Sequence, residues 1–154
     1  QGVNIVDDPN GEHSVFETLA PNVIPAEALA AKTDSAYLLK TIPDGFSLEV
    51  SVLPKQPTDQ PFFYQAGYTN QAGDYFVIRT FTDKPLKETS WADETYTTAS
   101  GLVLYFVNQP SITTRGEEFN GGLMQAPNGM TYAIDSTLSR DQIKVLMEEL
   151  VLVT

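Results

Sequence analysis

The period of the apolar positions changes several times along this chain, and each change marks an element. In FSLEVSVL (46–53), Phe46, Leu48, Val50 and Val52 alternate with Ser47, Glu49 and Ser51. A period of two is that of a strand with one wet face. FFYQAGYT (62–69) and YFVIRTFT (75–82) flank the polar turn NQAGD and predict a hairpin. TYTTA (95–99) predicts a short strand. Gly101 opens LVLYFVN (102–108), the most apolar strand, and Pro110 ends it. Leu123 to Ala126 and Met130 to Ile134 flank Pro-Asn-Gly and predict a second hairpin.

Helical spacing occurs twice. PAEALAAKTDSAYLL (25–39) starts with Pro25 as a first helical residue and carries an Ala-rich run with the stripe Leu29, Lys32, Ala36 and Leu39. Near the end, Ser139 and Gln142 form an S-x-x-Q capping box. Ile143, Leu146, Met147 and Leu150 follow as one apolar stripe, which places this helix on a sheet. Between the elements, TIPDGF turns the chain with Gly45, while PKQPTDQP, DKPLKETSWADE and SITTRGEEFNG are loops. The pattern therefore predicts an α+β fold, a curved antiparallel sheet of about six strands with an N-terminal and a C-terminal helix packed on one face. Residues 1–24 form a polar, turn-rich segment, and 25–154 a single α+β domain.

Two strands carry more apolar surface than that plan needs. In YFVIRTF, Tyr75, Val77 and Phe81 share one face while Phe76 and Ile78 share the other. In LVLYFV, Leu102, Leu104 and Phe106 oppose Val103, Tyr105 and Val107. Such strands are central and covered on both sides. The second cover is either more protein or a ligand groove.

Composition narrows the chemistry. With 154 residues, 42% of them hydrophobic, the chain can bury a core without disulfides or metal. A formal net charge of -11 repels phosphate backbones and anionic membrane surfaces, so nucleic acid is excluded as a partner. The absence of cysteine removes disulfide scaffolds, thiolate zinc sites and cysteine nucleophiles. The chain starts at Gln1, which points to a processed product or a piece of a longer protein whose anchor or signal lies upstream. No stretch is apolar enough to insert into a membrane.

His13 is the one histidine and sits in the N-terminal segment, so neither a Ser-His-Asp triad nor a zinc site is expected. DDPNGE clusters Asp7, Asp8, Asn10 and Glu12 but lacks the spacing of a calcium loop. Asp93/Glu94 and Glu117/Glu118 are the carboxylate pairs that a glycoside hydrolase would require. No phosphate-binding glycine motif is present. Metal and cofactor are therefore expected to be absent.

LLKTIPDGFSLEV, SGLVLYFVNQ and GLMQAPNGMTYAIDSTLSRDQIKVLMEEL occur in an order that resembles the bacterial domain-of-unknown-function 4367 group. The resemblance spans roughly residues 36–151 and consists of an opening strand, a glycine-led central strand, and a closing hairpin with a Ser-capped helix. The group commonly has Trp before the last turn, where this chain has Met124 and Gln125. It is distantly similar to the periplasmic MucB/RseB regulators and their lipoprotein-carrier-like half-barrel. The resemblance implies an extracytoplasmic, membrane-tethered domain of a lipoprotein or anti-sigma-factor-like protein. On it rests the expectation of a non-catalytic sensor or interaction domain that meets a protein, peptide or lipid of the cell envelope. The alternatives are a lipid or lipopeptide carrier with an apolar cavity, and a carboxylate-dependent hydrolase. The expected contact site is a groove lined by Tyr64, Tyr68 and Tyr105, beside loops that hold Trp91 and Phe119, with the Gly116, Gly121 and Gly122 segment 110–122 as its lid.

Overall fold

The computed structural model describes residues 3–7, 13–18, 29, 35–52, 64–107 and 120–153. In chain order the strands are β1 (Val3–Asp7), β2 (His13–Thr18), β3 (Tyr37–Leu39), β4 (Ser47–Val52), β5 (Tyr64–Thr69), β6 (Tyr75–Thr82), β7 (Ala92–Thr97), β8 (Val103–Val107), β9 (Asn120–Gln125) and β10 (Thr131–Ser136). Helix α1 (Arg140–Met147) and strand β11 (Leu150–Leu152) complete the order. Seven strands run side by side as β4-β5-β6-β10-β9-β8-β7, and the β1–β2 hairpin extends this sheet at β4. Every pairing in it is antiparallel. A separate two-stranded ribbon pairs β3 with β11.

The α+β expectation is therefore corrected: the fold is mostly β. Six strands was too few, and among the described residues α1 is the one complete helix. Of the expected N-terminal helix, Leu29 is helical and fully buried, and the rest of 25–34 lies outside the described residues. Its last turn is a strand. Tyr37, Leu38 and Leu39 are all buried, and Leu39 pairs with Leu150, the residue that also appeared to end the C-terminal helical stripe. Short apolar runs fit either period, and here long-range pairing of two such runs overrides helical spacing. Residues 1–24 also hold two strands where turns were expected, with Asp7 opposite His13. The short strand expected at 95–99 is a full edge strand at 92–97. The loop expected at 111–121 already belongs to β9 at Asn120 and Gly121, and its remainder lies outside the described residues.

Other local expectations hold. Gly129 adopts φ 86° in the Pro-Asn-Gly turn, and Thr131 faces Gln125 across it. Ser139 caps α1, with both arms of the capping box made. Ile143, Leu146 and Met147 are the buried face of the helix.

Register arranges one sheet face into rows. Leu48, Tyr68, Phe76 and Ser136 are successive neighbours across β4, β5, β6 and β10. Val50, Ala66, Ile78, Ile134, Gly122 and Phe106 form the next row, out to β8. Thr80, Tyr132, Met124 and Leu104 form a third. All of these apolar residues are buried. Gly122 has a steric reason: a Cβ there would sit 1.9 Å from the carbonyl oxygen of Tyr105. At Gly121 it would sit equally close to that of Ile134. No larger residue fits either place without parting the strands.

The β3–β11 ribbon lies against this face, and tyrosines attach it. One edge of β3 pairs with β11. Its other edge presents the backbone groups of Tyr37 and Leu39 to the sheet. There the Tyr64 hydroxyl accepts from the Tyr37 N–H at 2.8 Å and donates to the Tyr37 carbonyl at 2.8 Å. The Tyr68 hydroxyl accepts from the Leu39 N–H at 2.9 Å. Tyr132 donates to the Ser35 carbonyl and stacks edge-on to Tyr37, with ring centroids 5.3 Å apart. Desolvation raises the Tyr68 phenol to about 12 and lifts Tyr64 well above the ordinary tyrosine value, which favours the neutral hydroxyl in both.

Tyr64→Phe keeps the ring and leaves a buried donor and a buried acceptor of Tyr37 without a partner. Tyr68→Phe leaves only the Leu39 donor. Orphaned buried groups cost about 1–3 kcal/mol each, so both variants lose stability and Tyr64→Phe loses more. Urea denaturation measures this, and unchanged midpoints in both variants would contradict the assignment.

Candidate functional site

The ribbon also shapes the surface. The chain leaves β3 through residues 40–46, and it reaches β11 from α1. Pairing β3 with β11 therefore brings that turn and α1 together. The Phe46 N–H donates to the Pro43 carbonyl at 3.1 Å, and Gly45 takes φ 84°, which closes the turn. Between turn and helix lies an apolar groove of about 270 Å³ lined by Pro43, Phe46, Leu138, Gln142, Val145 and Leu146. Gln142 is its one polar liner, and its Oε1 accepts from the Ser139 N–H at 3.0 Å in the capping box. Val145 is 67% exposed, and Ile42 in the adjoining turn 40%.

Charged residues rim the groove. Asp44 is exposed in the turn, and the Asp141 side chain is 97% exposed. Asp141 and Glu149 stand four residues to either side of Val145, hence next to it on the helix surface or just past its end. Lys40 is the cation on the turn side.

On its other flank α1 is fixed to the sheet edge by ion pairs. Arg140 Nη1 lies 2.9 Å from Asp93 and 3.1 Å from Glu94, and its Nη2 donates to the Val107 carbonyl at 2.8 Å. The guanidinium sits 4.7 Å over the Phe106 ring. Lys144 pairs with Glu94, and Tyr96 donates to Glu148, whose other oxygen accepts from the Ala99 N–H at 3.1 Å. The hydrogen bond from Lys144, with help from Arg140, holds the Glu94 carboxyl below the usual range. A glycosidic general acid needs the opposite shift. Asp93 and Glu94 are thus occupied in joining helix to strand. Glu117 and Glu118 lie outside the described residues. No group of three or more His, Cys, Asp or Glu stands close enough for a metal ion among the described residues.

The expected groove does not assemble from its five residues. Tyr64 and Tyr68 are buried beneath the ribbon on the covered face. Tyr105 is on the opposite face, where the Trp91 ring meets it edge-on at 6.4 Å. Phe119 lies outside the described residues. The opposite face has its own cover. The connection from β6 to β7 must pass β10, β9 and β8, and residues 83–91 make that crossing. Thr131 donates to the Lys84 carbonyl at 2.8 Å, and the Leu86 N–H donates to Gln125 at 2.8 Å. The cover is partial: Phe81 remains 48% exposed and Val107 39%. Burial on this face raises the Asp135 carboxyl, with Arg79 opposing the shift.

Sequence reading missed Pro43, Phe46, Leu138 and Val145 as neighbours. The available signal was Val145, an apolar, β-branched residue lying off the buried stripe of its helix.

The ionic flank has a definite pH dependence. The folded-state pKa of Glu94 lies below its unfolded value, so its contribution is present above the unfolded value and is lost as pH falls through the folded one. Glu94→Gln should therefore cost about 0.2–1 kcal/mol at neutral pH, the range of partly exposed pairs. The difference from wild type should shrink as pH falls from neutral into the range below the ordinary glutamate pKa. Denaturation across that pH range checks this, and a difference independent of pH would contradict it.

Comparison of the chain with protein-family models, with curated proteins and with solved structures returns no match.

Proposed function

We propose that this domain is a non-catalytic interaction module of the cell envelope, and that it meets a protein or peptide partner through the groove between the 40–46 turn and α1. One observation carries the reading: an open apolar groove on a strongly acidic surface, with Val145 two-thirds exposed beside it. Apolar area left in water costs roughly 25 cal/mol per Å². Contiguous exposed apolar area rimmed by charge is what contact surfaces present. The envelope location is supported only by the resemblance of 36–151 to extracytoplasmic domains.

A carrier of lipid would need a cavity between the sheet and its cover. Tyr68, Tyr132, Phe76 and Ile134 are fully or almost fully buried in the layer that faces the ribbon and α1, and this favours a surface contact. At about 270 Å³ the groove falls just below the usual volume of ligand pockets, roughly 300–1,000 Å³. It suits one or two anchoring side chains of a partner.

Val145→Glu places a charge at the mouth of the groove while leaving the buried stripe of α1 intact. Apolar peptides titrated into 15N-labelled protein should shift the resonances of Phe46, Leu138 and Val145. The variant should bind at least about tenfold more weakly, a loss of about 1.4 kcal/mol, with an unchanged melting temperature. Equal binding by variant and wild type would remove the groove from the account.

A further inference from the structure

We infer that the groove's partner is an amphipathic α-helix whose apolar anchors are flanked by Lys or Arg; this rests on the groove reading above. Two independent features of the walls lead there. The first concerns backbone. An extended peptide gains affinity by adding to a free strand edge. β3, the strand that feeds the groove's turn, has no free edge. Leu38 pairs with Val151 of β11, and the backbone groups of Tyr37 and Leu39 on the other side are taken by Tyr64 and Tyr68. The opposite wall is a helix, bonded internally and capped by Ser139. The lining is apolar apart from Gln142, whose Oε1 is engaged in the cap. Neither β3 nor the helical wall offers a strand edge to such a peptide, and an occupant that brings its own N–H and C=O groups satisfied, as a helix does, fits these walls best. Apolar residues at i and i+3 or i+4 of that helix would enter side by side.

The second feature is charge. Among the described residues, Asp44, Asp141 and Glu149 flank the groove-lining positions in sequence, with Lys40 as the cation on the turn side. Among the described residues Asp141 meets Lys144 at 3.9 Å, and that cation pairs more closely with Glu94. Asp141 thus keeps an almost fully exposed carboxylate at the helix surface beside Val145. The chain as a whole has the same sign, with a formal net charge of -11. Such a surface speeds encounter with a cationic partner and repels an acidic one. Rim charges of this kind set partner choice, while the apolar anchors set affinity.

The test uses designed peptides that share one leucine pattern at i, i+3, i+4 and i+7. Their remaining positions are mainly Lys in one, Glu in another and Gln in a third. Each is titrated into the 15N-labelled chain, and circular dichroism follows peptide helicity. The Lys peptide should shift Phe46, Leu138 and Val145, gain helix on binding, and bind at least about tenfold more tightly than the Glu peptide at low salt. Raising the ionic strength should narrow that gap, because exposed charges are screened. In the double variant Asp44→Lys, Asp141→Lys the preference should shrink or reverse. Equal affinities of the Lys and Glu peptides at the groove would overturn the charge assignment and leave the groove reading standing. Binding there without gain of helix would overturn the helical assignment in the same way. Shifts spread over the acidic surface and absent from Phe46 and Val145 would overturn the inference as well. Failure of all three peptides to move any groove resonance would instead refute the groove reading itself.

Discussion

Two phenol hydroxyls on β5 hold this fold together at the point where it would otherwise be weakest. A two-stranded ribbon buried against a sheet must satisfy its inner edge, because an unpaired backbone group away from water is costly. β11 occupies one edge of β3, and Tyr64 and Tyr68 occupy the other. Each ring contributes apolar surface to the core, and its oxygen supplies the bond that a neighbouring strand would have made. Period-two spacing places both residues on one face of β5, so one strand serves two positions of β3.

The groove depends on this same arrangement. Its turn wall follows directly from β3, and its helical wall leads directly into β11. Fixing the ribbon sets the distance between the walls. The ion pairs of Arg140 and Lys144 with β7 hold α1 from the other side, and the capping box fixes where the helix starts. Structural charges are thereby spent inside the fold on one flank of α1, while Asp141 and Val145 on the other flank face solvent. The partition between holding and meeting runs along the helix surface.

Elements whose signals are local could be read from the sequence. The Pro-Asn-Gly hairpin, the alternation of 47–52, the hairpin of β5 and β6 and the cap of α1 each depend on residues within a few positions of one another. Where pairing is long-range the reading failed. Tyr-Leu-Leu at 37–39 and Leu-Val-Leu at 150–152 are too short to show a period, and they become strands because they find each other. The two apolar-faced strands were expected to be covered on both sides; on the second side the 83–91 crossing passes β10, β9 and β8 but not β6, and Phe81 and Val107 stay exposed. Nothing local in that polar stretch shows that it must pass over three strands. The same gap explains the expected site. Tyr64, Tyr68 and Tyr105 are all aromatic residues on strands, and only topology separates the two that cap β3 from the one that meets Trp91. Val145 was visible as an anomaly of its helix, yet its groove partners Pro43 and Phe46 lie about a hundred residues away and come to it through the ribbon.

The role of the tyrosine hydroxyls is tested most directly by native-state hydrogen exchange at two amides. The N–H groups of Tyr37 and Leu39 have no backbone acceptor in the ribbon, so a fold without the tyrosine bonds would leave them open to exchange. With those bonds in place both should exchange only through global unfolding, as slowly as the Ile78 amide in the centre of the sheet. Exchange of Tyr37 and Leu39 at rates typical of exposed turns, with Ile78 still protected, would contradict the account.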